Sequence, residues 1–373
     1  MNRSLPGVVI IGLMAFLHPF AVAAAGADEA PIELPTEMCR GYFFVPVTLA
    51  PRDGYPEDRT LWFLHDTGAS TSYVDPDSID RVAGVRPKSG GRVNMRDVAI
   101  GPLKYSRITA RAGELDHLSV ALGRRIDGIL SFGAFKDFLL TLDYQEGTLR
   151  LEKGELPKPN GIDVFSSKGK DSRPWMKVKF ANKTRRMLID SGAGMSSLVV
   201  KRLDKYQTAS EPRVVGVTAG LRSDDLELRT AARAARPVLL GSHTLQAPML
   251  ASTEDTELIG GDVMRHFKWT FDQSTKRFRM TRNDPNAQMS FAPYTSFGLI
   301  YSPTAEGLLV RKILEDAPAR QFDIKPGDLV TQMDGKPMVQ RGCDKSDDGA
   351  HTLGLMRDGQ LREVTLDLYT LVP

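Results

Sequence analysis

Two aspartates stand in nearly identical sequence settings and have the side chains best suited to paired acid–base chemistry. Asp66 lies within residues 64–70 and Asp190 within residues 188–194, each after an apolar run and before a hydroxyl residue and a glycine. If the two carboxyl groups approach closely, both cannot ionise easily, so the pair holds one proton between them. One carboxylate can then activate a water molecule while its protonated partner polarises a carbonyl group.

The settings of the two aspartates belong to a longer internal repeat. The aspartates are 124 residues apart, and an apolar-Gly segment at Gly128 is matched at Gly260, an offset of 132 residues. A Thr-Leu-Asp-Tyr run at residues 141–144 is answered by a Thr-Phe-Asp run at residues 270–272. Small loop insertions account for the drift in offset. The repeat therefore predicts two similar lobes that can bring the aspartate turns face to face.

Hydrophobic patterning predicts a mainly β protein. Short alternating runs, such as residues 44–49 and 176–180, are separated by glycine, proline and aspartate turns. Helical spacing is convincing only after the glycine segments, around residues 131–138 and 262–267. A proline- and glycine-containing stretch, residues 153–161, is expected to link the two units or to form a strand between them.

With two Asp-[Thr/Ser]-Gly-Ala motifs, the chain resembles the retropepsin-like and pepsin-like aspartic peptidases, specifically bacterial single-chain members with an appended PDZ domain. The resemblance covers about residues 40–373. It implies a β-barrel lobe for each repeat, a substrate cleft between the lobes, and flaps over the cleft, for which residues 89–91 and 216–220 are the candidates. The site residues that it implies are Asp66 and Asp190 as the catalytic pair, Thr67 and Ser191 as its braces, and Gly68 and Gly192 as turn-shaping residues.

Two positions depart from the pattern of these peptidases. His65 stands where an apolar residue is usual, and Gly194 stands where serine or threonine usually follows the alanine. A charged His65 would favour ionised carboxylates nearby, whereas on the alternate face of its strand the side chain would point away from them. The resemblance implies an aspartic endopeptidase. Because of these departures, the alternative is a catalytically inactive peptide-binding or scaffold protein of the same fold.

From about residue 286 the pattern changes and resembles a PDZ domain. The segments that carry the resemblance are residues 297–300, 307–313, 324–330 and 333–337. PDZ domains bind a peptide as an added strand beside an exposed sheet edge. The module is expected either to recruit peptide C-termini or extended strands in this way, or to pack against the lobes.

These features together predict the domain organisation and the compartment. We expect a signal peptide at residues 1–25, a first lobe at 26–155, a second at 156–284 and the α+β PDZ-like module at 285–373. The signal rests on Arg3, an apolar run at residues 8–17, and small residues at 21–27 that allow cleavage after Ala25 or Ala27. The run is too short to span a bilayer comfortably, so we expect a mature protein without a membrane span, in the periplasm or secreted.

The chain contains two cysteines, Cys39 and Cys343, and neither belongs to a metal-binding spacing. In an oxidising compartment they can form a disulfide, or they can remain unrelated thiols, because pairing depends on a geometry that sequence does not reveal. We expect no metal and no cofactor. The six histidines are dispersed, and neither a Gly-x-Ser-x-Gly elbow nor a His-Glu-x-x-His motif occurs.

Composition fits an ordinary folded, globular protein. Of the 373 residues, 41% are hydrophobic and 25% charged, and the net charge is only +3, which gives no reason to expect nucleic acid as a partner. The densest basic stretch, residues 229–236, is expected to be a solvated strand or loop. We expect protein or peptide substrates, and a monomer, since a chain with two lobes completes its site alone.

Overall fold

The computed structural model describes residues 30–219, 226–343 and 349–373. The expected signal peptide, residues 1–25, lies outside them. Strands dominate the described residues, which confirms the predicted mainly β fold class. Across these ranges, no helix has the length and apolar character that crossing a membrane requires.

In the first half, one sheet carries Asp66 at the end of a central strand. The elements are β1 (Ile32–Leu34), β2 (Glu37–Cys39), β3 (Tyr42–Leu49), β4 (Thr60–Asp66), β5 (Tyr73–Val74), α1 (Pro76–Ala83), β6 (Arg92–Ile100), β7 (Leu103–Ala112), α2 (Asp116–Leu122), β8 (Gly128–Ser131), a 3₁₀ turn (Phe132–Phe135), β9 (Leu139–Asp143) and β10 (Thr148–Glu152). The sheet order is β2-β3-β4-β8-β5-β7-β6. Because β6 also pairs with β3, the sheet closes on itself like a small barrel.

Local sequence explains where α1 begins and ends. The Asp75 side chain accepts hydrogen bonds from the amides of Asp77 and Ser78, at 3.1 and 3.0 Å, and Pro76 occupies the first turn. Gly84 ends the helix in the left-handed conformation, with a φ of 62°. An acidic N-cap, an early proline and a C-terminal glycine are the residues that helix ends favour.

The second half repeats this arrangement around Asp190. Its elements are β11 (Val164–Ser166), β12 (Trp175–Phe180), β13 (Lys183–Ile189), β14 (Leu198–Val200), a 3₁₀ turn (Leu203–Lys205), β15 (Arg213–Ala219), β16 (Leu226–Arg233), β17 (Val238–Leu240), β18 (His243–Leu245), β19 (Met249–Ser252), β20 (Leu258–Ile259), α3 (Gly261–Met264), β21 (Phe267–Asp272) and β22 (Arg277–Arg282). The sheet order is β15-β16-β19-β14-β20-β13-β12-β17-β18. In both halves the strand before the aspartate has a parallel neighbour, β8 or β20, which is itself antiparallel to the strand after the aspartate turn.

A third sheet, ordered β1-β10-β9-β21-β22-β11, joins the halves. At its centre β9 pairs antiparallel with β21, and Thr141 faces Thr270 with 2.9 Å between their hydroxyl oxygens. Large apolar side chains on this sheet, including Trp269, Phe271 and Phe278, are almost completely buried. The hydrophobic core therefore runs through both halves and holds the aspartate turns in one rigid frame.

Residues 285–373, called here the C-terminal module, follow. The strands are β23 (Tyr294–Ser296), β24 (Leu299–Pro303), β25 (Leu308–Ile313), β26 (Leu329–Met333), β27 (Lys336–Pro337), β28 (Ala350–Arg357), β29 (Gln360–Asp367) and β30 (Tyr369–Val372), with 3₁₀ turns at Pro318–Gln321 and Met338–Gln340. One sheet has the order β24-β25-β26-β28-β29 with β27 beside β26, and β23 pairs with β30.

Elements of both halves complete the hydrophobic core of the C-terminal module. Val120 of α2 is buried within that core, and valines of β15 pack against it. The Tyr294 hydroxyl donates to the Val215 carbonyl at 3.0 Å. Arg341 donates to the carbonyls of Val120 and Ala121 at the end of α2, at 3.2 and 2.9 Å. The module is thus built onto the two halves by apolar and polar contacts together.

The expectation that residues 229–236 form a solvated stretch is wrong at Arg233. Its side chain is buried and donates to backbone carbonyls of the C-terminal module, at Pro373 and Ala292. A guanidinium has five donors, so one buried arginine can satisfy several carbonyl groups at once. This role has no local signature, because the accepting carbonyls lie far away in the sequence.

Cys39 and Cys343 form a disulfide across a sequence separation of 304 residues. The bond ties β2 of the first half to the loop after the last 3₁₀ turn. Of the two alternatives left open by the sequence, the structure has the bonded one.

We expect the double variant Cys39→Ser/Cys343→Ser to have a free energy of unfolding lower by about 3–5 kcal/mol, because a cross-link over so long a loop restricts the unfolded chain. Urea denaturation of both proteins measures the difference. Added reductant should weaken the parent but leave the variant unchanged. Equal stability without reductant would contradict the bond.

Candidate active site

Each aspartate stands where a buried strand ends beside a parallel neighbour. Asp66 is the last residue of β4 and lies opposite Ser131 at the end of β8. Asp190 directly follows β13, and its amide donates to the Ile259 carbonyl of β20 at 2.9 Å. The apolar run before each aspartate keeps its strand in the core, so the turn that follows has a fixed position.

Thr67 and Ser191 join the two aspartate turns through four reciprocal hydrogen bonds. The Thr67 amide donates to the Ser191 hydroxyl at 3.0 Å, and the Ser191 amide donates to the Thr67 hydroxyl at 2.9 Å. Thr67 also donates to the Ile189 carbonyl at 2.8 Å, and Ser191 to the His65 carbonyl at 3.0 Å. Both hydroxyl residues are completely buried. We call this set of bonds the cross-lobe clasp.

Gly68 and Gly192 allow the carboxyl groups to approach across the same boundary. A methyl group on Gly68 would lie 2.4 Å from an oxygen of Asp190, and one on Gly192 would lie 2.4 Å from the carboxyl carbon of Asp66. Any side chain at either position would displace the opposing carboxyl group. The structure therefore brings together all six residues selected from the sequence: Asp66, Thr67, Gly68, Asp190, Ser191 and Gly192.

The surroundings of the two carboxyl groups differ. Asp66 accepts hydrogen bonds from the amides of Gly68 and Ala69 at 2.7 and 3.1 Å, whereas Asp190 accepts one from Gly192 at 2.9 Å. Burial raises the pKa of both groups, and the nearby charge of Asp66 contributes to holding the pKa of Asp190 well above its ordinary value. Amide donors favour the ionised form. The pair thus favours an ionised Asp66 beside a protonated Asp190.

His65 does not carry a charge beside the pair. Its side chain is fully buried, and the ring centroid lies 5.5 Å from that of Phe135, a residue of the hydrophobic core. Burial lowers the pKa of His65 to about 4, so the imidazole is neutral near pH 7. The departure at this position therefore fills the core.

The predicted flap positions lie on or beside two long hairpins. Gly90 and Gly91 form a turn just before β6, in which the Gly91 amide donates to the Lys88 carbonyl at 2.9 Å. This turn lies at the open end of the β6–β7 hairpin, opposite the loop that connects the two strands. Gly216 lies within β15, and residue 220 is outside the described residues. Among the described residues, the amide hydrogen bonds to the carboxyl pair come from the aspartate turns and not from these hairpins.

A group of carboxylates that could hold a metal ion occurs elsewhere among the described residues, at Asp75, Glu114 and Asp116. Asp75 is already engaged as the cap of α1 and also accepts from the Leu115 amide at 3.1 Å. None of these three residues belongs to the aspartate turns.

Among the described residues, three further polar side chains act on the pair and carry no motif in the sequence. Tyr42, Tyr144 and Arg173 interact electrostatically with the aspartates. Each belongs to an ordinary-looking strand or loop, so residue type and spacing alone do not select them.

Comparisons with known proteins add little to this geometry. No protein-family model and no curated protein matches the chain. Among solved structures it is similar to a retropepsin-like aspartic protease from Rickettsia conorii, with a TM-score of 0.25 and 15% sequence identity over 34% of this chain and 95% of that one. A similarity of this extent carries no weight for function, so any functional conclusion depends on the residues described above.

The pH dependence of stability should report the raised pKa of Asp190. A carboxyl group whose pKa is raised on folding contributes stability below its unfolded pKa of about 3.9, and that contribution is lost as pH rises through the folded pKa. We therefore expect Asp190→Asn to raise the thermal unfolding midpoint at pH 7 and to flatten its decline above about pH 4. Asp66→Asn should raise the midpoint at pH 7 by less, and the exposed control Asp53→Asn should leave it unchanged. A lower midpoint for Asp190→Asn at pH 7 would refute this account.

Loss of hydrogen bonds in the cross-lobe clasp should lower the free energy of unfolding. Thr67→Val keeps the shape of the side chain but removes the donor to Ile189 and the acceptor for the Ser191 amide. We expect a free energy of unfolding lower by about 2–4 kcal/mol, because a buried amide is left without a partner. Urea denaturation tests this, with the exposed Thr109→Val as the matched control, for which we expect a change below about 0.5 kcal/mol.

Proposed function

We propose that this protein is an aspartic endopeptidase in which a water molecule between Asp66 and Asp190 attacks a peptide carbonyl. The observation that carries the proposal is the cross-lobe clasp, which sets two half-buried carboxyl groups side by side at the ends of rigid strands. Two carboxyl groups so placed share a proton and can serve as base and acid at once. A purely structural role for both would not require two acidic groups to be held together and partly removed from water.

The difference in surroundings assigns the roles. Asp66, stabilised as an anion by amide donors, takes a proton from water, and the water oxygen bonds to the carbonyl carbon. Asp190 gives its proton to the carbonyl oxygen, so a tetrahedral diol forms. Asp66 then passes its proton to the leaving nitrogen as the carbon–nitrogen bond breaks, and the diol returns a proton to Asp190. The cycle ends with the starting protonation.

The same proposal extends to substrate and compartment. A cleft between two β-rich lobes suits a peptide in an extended conformation, and we propose protein or peptide substrates cleaved in the periplasm or outside the cell by a monomer. The proposed boundaries are the signal peptide at 1–25, the lobes at 26–155 and 156–284, and a PDZ-like module at 285–373.

For the C-terminal module, the contacts favour packing over recruitment of peptides. β24 lies against β15 and α2 of the two halves, and the module's core takes in Val120. Because β15 and α2 lie beside β24, less room is left there for a peptide to add as a further strand. We propose that the module is a fixed part of the enzyme.

No observation favours the alternative of an inactive peptide-binding protein. Its support in the sequence was the departure at His65, and that side chain is buried and neutral.

Cleavage of casein by residues 26–373, followed across pH 3 to 8, tests the function. We expect proteolysis by the parent and by the exposed control Asp53→Asn, and a fall of at least about a hundredfold in Asp66→Asn and in Asp190→Asn, because each removes one proton-transfer group. Binding of casein without cleavage at any pH, unchanged in the variants, would instead indicate a peptide-binding protein.

A further inference from the structure

Tyr42 and Arg173 occupy corresponding positions in the two lobes. Phe43 pairs with His65 across β3 and β4, so Tyr42 stands opposite Asp66 one residue further along. Trp175 pairs with Leu188 across β12 and β13, so Arg173, two residues earlier, stands opposite Asp190. The internal duplication has therefore placed a tyrosine and an arginine at equivalent sites beside the two aspartates.

Tyr42 reaches across to the aspartate turn of the second lobe. Its ring lies over Gly194, where an added methyl group would stand 2.8–2.9 Å from three ring carbons. The amides of Gly194 and Met195 interact with the hydroxyl group. The glycine that departs from the usual pattern after Asp-Ser-Gly-Ala is thus the residue that makes room for this ring.

Arg173 makes the reciprocal contact with the first lobe. Its Nη1 donates to the Gly68 carbonyl at 2.7 Å, within the turn that follows Asp66. Asp171 holds the guanidinium through Nε and Nη2, at 3.0 and 2.7 Å, and accepts from the Trp175 indole at 3.1 Å. An arginine fixed in this way on its own lobe can hold the turn of the other lobe in place.

We propose that Tyr42 and Arg173 are positioning residues, each of which holds the aspartate turn of the opposite lobe and so sets the geometry of the carboxyl pair. As a statement about catalysis this rests on the proposed peptidase function, whereas the contacts themselves can be tested without it. The two positioning residues, Tyr42 and Arg173, differ in charge. Burial raises the pKa of Tyr42 to about 12, so the phenol stays neutral, while the cation of Arg173 acts to lower the pKa of Asp190.

The contact between Tyr42 and Gly194 can be tested by a double-mutant cycle in urea. Gly194→Ala should lower the unfolding midpoint in the parent and in Tyr42→Phe, which keep the ring, but not in Tyr42→Ala, which removes it. Gly133→Ala is the matched control, because a methyl group there meets no atom within 4 Å. Equal effects of Gly194→Ala in all three backgrounds would overturn this brace.

The brace by Arg173 can be tested by titrating the two carboxyl groups with carboxyl-carbon NMR. The titratable and charged groups that act on the pair among the described residues include Arg173, Tyr42 and Tyr144. Arg173→Met removes the cation and should move the titration to higher pH, whereas Arg173→Lys keeps the charge and should move it much less. The exposed Arg150→Met is the control. An unmoved titration in Arg173→Met, or an equal shift in Arg173→Lys, would overturn this brace.

Kinetics connects the braces to catalysis. In Tyr42→Phe we expect kcat to fall about tenfold with KM little changed, the loss expected when one interaction that positions the reacting groups is removed. Tyr55→Phe, in an outer loop, should leave both constants unchanged. If the parent cleaves no substrate but the cycle and the titration behave as stated, the peptidase function fails and the braces stand. If the parent cleaves and both tests fail, the braces alone are refuted.

Discussion

The reciprocal hydrogen bonds between Thr67 and Ser191 are the constraint on which the rest of the site depends. They are fully buried and cross the boundary between two halves of the chain, so they are strong only while both strands that carry the aspartates keep their positions. The sheet shared by the halves supplies that rigidity, since β9 and β21 pair at its centre. Two half-buried acidic groups can then stay close together because the frame around them does not relax.

Duplication produced the symmetry of the frame, and individual residues break it where chemistry would need a difference. The backbone surroundings give Asp66 more amide donors than Asp190. The side chains opposite the aspartates also differ, with a neutral phenol opposite Asp66 and a guanidinium opposite Asp190. A symmetric pair would have no preferred site for its single proton, whereas the additional amide donors at Asp66 favour the proton on Asp190. The cation of Arg173 acts in the opposite direction, because it lowers the pKa of Asp190.

The C-terminal module adds a third body to this frame, and its strand β24 lies near β15 and α2 of the two halves. A disulfide, two arginines that donate to distant carbonyls, and a shared apolar core attach it to the halves. Because β15 of the second half packs against it, the module also restricts a long hairpin that is built into the same sheet as Asp190. Stability and geometry of the site are therefore linked to contacts far from the aspartates.

The mainly β class, the internal repeat and the six residues of the aspartate turns could be predicted from sequence, because a duplicated motif repeats its residue types at matching distances and strand patterns are local. Three features became evident from the folded chain alone: Cys39 bonds to Cys343, Arg233 is buried rather than solvated, and burial keeps His65 neutral near pH 7. The fold also places the Tyr42 ring where a side chain at position 194 would stand, which accounts for the glycine there. These outcomes depend on distances between residues far apart in the chain, and no local pattern encodes such distances.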